Sequence, residues 1–240
     1  MAKKASVKPW LALAIIIIVI AIVWIINRPY ISDVSIINLD SSTERWASLQ
    51  PELKALPYPI KRFSAIDGRK MTEDQFMELG IPHLILPKFA DEKYKKKRPG
   101  EIGCYLSHST LIKQLGAKWA LPNTGHIILE DDVVIDTDAA EKIQKALLSV
   151  PSDWDILCVG IGESTLDKAV GGVARVRKFW GTYGYIVRHG SIPKVSNAIK
   201  TMFDPIDEMF WQAGLNIYAM QPSVVHFKIG AFSEIHQKVN

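Results

Sequence analysis

The stretch HIILEDDVVI, residues 126–135, decides how this chain is read. His126 to Leu129 is a run of β-branched and apolar residues suited to a buried strand, and it ends in three consecutive acids, Glu130, Asp131 and Asp132. In open α/β sheets ligands bind beyond the carboxyl ends of the strands, which is where these acids would stand. Two unpaired carboxylates about 4 Å apart repel by roughly 1 kcal/mol in water, and by several times more when partly desolvated. A divalent cation offsets that repulsion. Hard oxygen ligands suit Mg²⁺ or Mn²⁺, which also bind phosphate oxygens. Period-2 alternation places Glu130 and Asp132 on one face and Asp131 on the other. The competing reading is a solvated turn leading into a helix cap at residues 136–138.

Outward from this stretch, strand-like and helix-like segments alternate. DVSIINL reads as a strand, followed by a helix start in DSSTERWASLQPEL that Ser41 or Ser42 can cap. IKRFSAI is a second strand ending in the turn signal Asp67-Gly68. TEDQFMELG carries Thr72 and Gln75 at capping-box spacing and stops at Gly80. A lysine-rich loop, Lys88 to Arg98, precedes the helical GEIGCYLSHSTLIKQLG. DAAEKIQKALLSV is an amphipathic helix, DWDILCVG a strand, and KFWGTYGYIVRH a strand-like run with two small breaks. SIPKVSNAIKTM and PIDEMFWQAG read as helices, NIYAM and SVVHF as short late strands. This alternation predicts an α/β fold with a mostly parallel sheet covered by helices on both faces.

Trp10 to Ile26 is an uninterrupted apolar run. Its reach of about 25 Å as a helix sits near the lower limit for a bilayer. Three lysines precede it, one arginine follows, and no small-residue cleavage site is seen. The expectation is a single-pass signal anchor: residues 1–28 as cytosolic tail and transmembrane helix, 29–32 as a short stalk, and 33–240 as one domain on the lumenal or extracytoplasmic side. The four charges before residue 29, all basic, account for the formal net charge of +4, leaving 25 basic residues against 25 acidic ones. The rest of the chain is thus neutral and gives no argument for nucleic-acid binding. Two cysteines, Cys104 and Cys158, are too few for a disulfide framework; two buried free thiols are favoured over one bridge.

IINLDSSTERW (36–46), FSAIDG (63–68), GEIGCYLSH (100–108), ILEDDV (128–133) and GTYGYIV (181–187) occur in that order. Together they resemble family 25 glycosyltransferases, the lipopolysaccharide and procollagen galactosyltransferase group, over about residues 33–210. The resemblance implies a GT-A-like, Rossmann-related fold, a nucleotide-sugar donor such as a UDP-sugar, and Mn²⁺ bridging the donor diphosphate. It also sets roles beside the residue chemistry. The Asn38 amide would meet the nucleotide, unless it only forms a turn. Arg45 would approach the diphosphate, against the plainer reading of an exposed helical arginine, and Ser41 stands where relatives often carry a basic residue. Asp67 and Gly68 would meet base or ribose. Gly100 and Gly103 would let backbone approach a ligand, with Ser107 and His108 following on the helix; His108 would touch the donor or orient a carboxylate. Tyr183 and Tyr185 would alternate along the wall beside donor sugar and acceptor. Asp132, helped by Glu130 and Asp131, would hold the metal, with His226 as a further ligand.

The expected function is metal-dependent transfer of a hexose, galactose or glucose, from a UDP-sugar to a hydroxyl of a glycan, lipid-linked or protein acceptor. An inverting reaction, which the resemblance suggests, needs a base, and Asp207, Glu208 and Glu163 are the candidates, in that order. Two alternatives stand beside it: a metal-dependent phosphohydrolase acting on nucleotide sugars, and an inactive transferase-like domain that binds glycans.

Overall fold

In the computed structural model, residues 9–86, 98–228, 232–233 and 238–239 are described. The lysine-rich segment therefore lies outside the described residues, apart from Arg98, as do Lys3, Lys4 and Lys8. The helices are α1 (Pro9–Asn27), α2 (Thr43–Leu49), α3 (Glu73–Glu78), α4 (Pro99–Gly116), α5 (Ala139–Ser149), α6 (Ile192–Ala198) and α7 (Ile206–Gln212). The strands that build the site are β1 (Tyr30–Asn38), β2 (Ile60–Ser64), β3 (Thr124–Glu130), β4 (Val133–Ile135), β5 (Ile156–Gly160), β6 (Ser164–Leu166), β7 (Val173–Phe179), β8 (Gly184–Arg188), β9 (Ile217–Met220) and β10 (Val225–Phe227).

Eight strands form one sheet in the order β2-β1-β3-β8-β5-β9-β7-β6, while β4 and β10 make a separate antiparallel pair. The expectation of a mostly parallel, GT-A-like sheet is corrected here. β1–β2, β1–β3 and β5–β9 are parallel, whereas β3–β8, β5–β8, β7–β9 and β6–β7 are antiparallel. The fold is mixed α/β with a large, mostly antiparallel sheet. β8, running backwards between β3 and β5, supplies two of the antiparallel pairs, and β7, reversed beside β9 and paired with β6, supplies the other two. The run KFWGTYGYIVRH is not one strand either. It breaks at Trp180–Tyr183, where Gly181 takes a φ of +82° that side-chain-bearing residues rarely adopt.

The membrane expectation is corrected as well. The segment is helical, but among the described residues no helix is long and apolar enough to cross a membrane. The 17 apolar residues Trp10–Ile26 reach only about 25 Å at ~1.5 Å per residue, short of the ~30 Å hydrocarbon core.

Alternation along the central strands divides the core in two. Ile37, Ile128, Cys158, Tyr185 and Ile217 face one side and pack with Ile102, Ile112, Leu115, Val195 and Phe210 from α4, α6 and α7. Ile36, Leu129, Leu157, Ile186 and Tyr218 face the other and pack with Leu49 of α2 and Ile143 and Leu147 of α5. The predicted capping box at Thr72 and Gln75 is present, with the Thr72 N–H donating to Gln75 Oε1 at 2.8 Å. Both cysteines are free thiols; burial pushes that of Cys158 up to about 12.

At the amino ends of β1 and β3 a buried polar cluster closes the sheet. Asp33 accepts from Lys61 Nζ at 2.5 Å, its other oxygen lies 2.8 Å from His126 Nδ1, and His126 Nε2 lies 3.2 Å from His189 Nδ1. Although burial raises the Asp33 pKa, the bonds from His126 and Lys61 together outweigh it and leave the group well below the usual carboxylate range. Its contribution to stability is therefore present above about pH 4 and is lost as pH falls below that. Asp33→Asn is expected to lower the thermal midpoint at pH 7, with the gap to wild type shrinking as pH drops below 4; a calorimetric pH series checks this.

Candidate functional site

A cavity of about 610 Å³ opens at the carboxyl ends of β1 and β3 and the amino end of β8, the one edge where the reversed strand brings its start beside their finish. Such a volume is in the range that takes a small-molecule ligand. Of the residues expected at a site, Arg45, Asp67, Gly68, Gly100, Ser107, His108, Glu130, Asp131, Asp132, Tyr183 and Asp207 line it.

The three acids do not follow strict alternation. β3 stops at Glu130, and Asp131 and Asp132 form a bend before β4. Both aspartates consequently turn to the same partner. Arg45, one turn into α2, pairs through Nη2 with Asp131 Oδ1 and with Asp132 Oδ2 at 2.6 Å. The remaining Asp131 oxygen accepts from Asn38 Nδ2 at 2.5 Å, and the Asn38 Oδ1 accepts from Arg62 Nε at 2.7 Å. Asn38 is buried and sits behind Asp131, not at the cavity surface. Burial, reinforced by the neighbouring Glu130 charge, lifts Asp132 to about 7; burial also raises Asp131.

His108 is fully buried on α4. Its Nδ1 lies 2.8 Å from the Tyr185 hydroxyl, and Nε2 approaches Glu130 Oε1 at 3.4 Å, too far for a hydrogen bond, so Nε2 has none. The ring is thus aimed at a carboxylate and clamped from behind. Tyr185 lies in the core beneath the site, while Tyr183 is the tyrosine that reaches the cavity, its hydroxyl donating to the Ile161 carbonyl at 2.5 Å. Tyr185→Phe leaves the buried His108 Nδ1 without its partner. We expect a loss of about 1–3 kcal/mol in urea unfolding, with His108 free to turn from Glu130.

Gly68 and Gly103 pack against each other; Gly68 and Gly100 border the cavity, and Gly103 does not. Ser107 ties the same region together: its hydroxyl donates to the Gly103 carbonyl at 2.7 Å and accepts from the Ile66 N–H at 2.8 Å. Asp67 caps its own turn, accepting from the Arg69 backbone N–H at 3.2 Å, and pairs with Arg69 Nε at 3.0 Å. Glu101 accepts the Arg98 N–H at 2.6 Å, as a first-turn acid does.

Of the three expected bases, Asp207 alone lines the cavity. It is buried, and burial raises its pKa. Its Oδ2 accepts the Gly181 N–H at 2.6 Å, and Oδ1 accepts the Glu208 N–H at 3.0 Å. Glu163 is exposed and Glu208 half-buried, and neither borders the cavity. His226 is also outside it, exposed and 3.1 Å from Asp136 Oδ1. The period of β10 explains this: its neighbour Phe227 faces the cavity, so His226 faces away. Phe227, Trp180, Thr182 and Arg69 line the cavity without having been picked out from sequence. The alternation that misplaces His226 is the signal that would have found Phe227.

A hard cation finds suitable donors here. Asp132 Oδ1 is buried without a hydrogen-bond partner, and the Glu130 carboxylate stands at the cavity wall. Among the described residues, the potential ligand atoms that lie within 4.8 Å of one another belong to Cys104, His108 and Glu130. Burial and the nearby acids push the Cys104 thiol well up, which keeps it protonated and a poor partner for Mn²⁺.

These features define an α/β protein with an acidic, arginine-bridged ligand cavity at its strand ends. The family model for glycosyltransferase family 25 (LPS biosynthesis protein) matches residues 31–176, and the chain belongs to that family. It is similar to a glycosyltransferase 25 family member of Aedes aegypti, 25% identical over 214 residues, covering 82% of this chain and 33% of that one. It is likewise similar to procollagen galactosyltransferase 1 of Danio rerio, 24% identical over 208 residues, covering 81% and 33%. The chain thus spans about a third of the length of these relatives. The crystal structure of mouse xyloside xylosyltransferase 1 aligns over 75% of this chain and 66% of that one at 10% identity with a TM-score of 0.33.

Proposed function

We propose that this chain is a glycosyltransferase that moves a hexose from a UDP-sugar, galactose in the first instance and glucose as the next choice, to an acceptor hydroxyl. The observation that carries this reading is the cavity itself, in which Glu130, Asp131 and Asp132 meet Arg45 at the strand ends of a family 25 domain. Arg45 lines the cavity and is a cationic group on hand for a diphosphate. Asp67 and Arg69 at the end of β2 supply a carboxylate for ribose hydroxyls and a second guanidinium. Glu130 and Asp132 would hold Mn²⁺ or Mg²⁺, which when bound neutralises charge developing on the departing diphosphate. His108 faces Glu130 across 3.4 Å and would orient it once the two draw together around a bound ion. Asp207 is the base we assign for the acceptor proton, since its burial raises its proton affinity and it borders the cavity.

The test is calorimetry and product analysis on the full chain with UDP-galactose. Binding and turnover are expected with Mn²⁺ and are expected to disappear on chelation and return when the ion is restored. Release of UDP supports a transferase. Release of UMP and galactose phosphate would instead identify the phosphohydrolase alternative, and binding without turnover across an acceptor panel would identify an inactive glycan-binding domain.

A further inference from the structure

Cys104 and His108 stand four residues apart on α4, about one helical turn, so both belong to one face of that helix. Cys104 packs against the half of the core that holds Ile128 of β3. Glu130 follows Ile128 by two residues on the same strand, so its side chain leaves the sheet toward α4. The three residues thereby converge at the cavity wall. A thiol, an imidazole and a carboxylate each offer a ligand atom within 4.8 Å of the others.

Their spacing suits ligands around an ion better than a hydrogen-bonded pair. His108 Nε2 is buried without a hydrogen-bond partner, 3.4 Å from Glu130 Oε1. Bonds of ~2 Å at a tetrahedral angle hold two ligand atoms ~3.3 Å apart. A buried ring nitrogen left unmatched is a cost that a metal bond removes. At the other edge of the ring, Nδ1 lies 2.8 Å from the Tyr185 hydroxyl. A proton on Nδ1 in that bond leaves the lone pair on Nε2, facing Glu130, and such a partner on the second nitrogen is what fixes the ring of a metal-bound histidine. The donor set also chooses the ion. A hard ion such as Mn²⁺ prefers the oxygens of Glu130 and Asp132, whereas sulfur with imidazole selects Zn²⁺, which displaces the thiol proton as it binds. Three protein ligands leave the fourth tetrahedral position to water.

We propose that Cys104, His108 and Glu130 form a second metal site, one for Zn²⁺, which shares Glu130 with the Mn²⁺ site and so excludes that ion. Zn²⁺ bound there is an inhibitor, because it takes a carboxylate that the transfer reaction needs. The exclusion and the inhibition rest on the transferase reading; the zinc site itself does not.

The test uses the full chain, with Zn²⁺ affinity read by competition against a chromophoric chelator and Co²⁺ as a spectroscopic stand-in. One Zn²⁺ per chain is expected, and Co²⁺ is expected to give the near-ultraviolet charge-transfer band of a cobalt–thiolate bond. Cys104→Ser is expected to abolish that band and to weaken Zn²⁺ by about a hundredfold or more, while its Mn²⁺ and UDP affinities stay within about twofold of wild type and show that it is folded. In the wild type each ion is expected to weaken the other by the same factor, about tenfold or more. Zn²⁺ at a level that silences wild-type turnover is expected to leave Cys104→Ser active. Unchanged Zn²⁺ affinity in Cys104→Ser would overturn the zinc site, and so would Co²⁺ bound to the wild type without the band, a result that needs no variant to fold. Independent binding of Zn²⁺ and Mn²⁺ to one chain would overturn the shared ligand. Failure of the transferase reading shows separately, as Zn²⁺ binding that depends on Cys104 in a chain that neither binds Mn²⁺ nor releases UDP from UDP-galactose.

Discussion

Under the proposed metal-dependent transfer, Asp132→Asn is expected to lower kcat/KM by about 10³-fold, on the scale seen when a group stabilising transition-state charge is removed, and to weaken Mn²⁺ binding in parallel. It is not expected to lower the thermal midpoint. Asp132 is buried beside Glu130, and only its Oδ2 is paired, with Arg45; Oδ1 has no hydrogen-bond partner. Its charge is thus a cost to the folded chain, and an isosteric amide removes that cost. Asp131→Asn offers the contrast. There Oδ2 accepts from Asn38 while Oδ1 pairs with Arg45, so an amide nitrogen must face one of two donors whichever way it is turned. A loss of about 1–3 kcal/mol follows from leaving buried donors unmatched. Adjacent acids should therefore separate cleanly, one affecting catalysis without stability and the other affecting stability first. Metal titration and urea unfolding on the two variants make the comparison. Full activity in Asp132→Asn would remove that residue from the mechanism.

That separation was only half legible in the chain. The acids at the end of HIIL were visible because a continuous apolar run stopped in charge, and local sequence settles that much. Which acid did which job was not. It depends on Asn38, 93 residues away, and on the bend that ends β3 one residue before alternation would have placed Asp132. The sheet shows the same limit. β1, β2, β3, β5, β8, β9 and β10 were readable from their own residues, whereas β4, β6 and β7 were not picked out, and direction is settled by neighbours. Nothing within GTYGYIV says that β8 will enter between β3 and β5 in reverse, since its pairing partners lie about 30 and 60 residues upstream by the general non-local character of sheet register. His226 and Phe227 illustrate a finer failure: the strand was found and its facing was not. Gly100 and Gly103 suggest close approach of backbone to a ligand; Gly100 does border the cavity, while Gly103 instead packs against Gly68.

Gly68→Ala and Gly103→Ala are expected to be the most damaging single-methyl additions to the site. A Cβ on Gly68 would stand 2.0 Å from the Pro99 carbonyl oxygen and 3.0 Å from the Gly103 nitrogen. One on Gly103 would stand 2.6 Å from the Ile66 carbonyl oxygen and 2.7 Å from the Gly68 nitrogen. All four obstacles are backbone, so no rotamer change relieves them, and the loop after β2 must lift away from the first turns of α4. Overpacking of this kind costs about 1–3 kcal/mol, with Gly68→Ala at the upper end or beyond. The lifted loop also carries Asp67 and Arg69 from the cavity wall and strains the bond from Ile66 to Ser107. UDP affinity should accordingly fall with stability in both variants, unlike Asp132→Asn. Because the two methyl groups would meet across one contact, their costs should not add: once either has parted the loop from the helix, the second finds room already made. A double-mutant cycle by urea unfolding is expected to give a combined loss well below the sum of the single losses. Simple additivity would mean that the two glycines answer to separate constraints, and that the loop and the helix are not held as one wall.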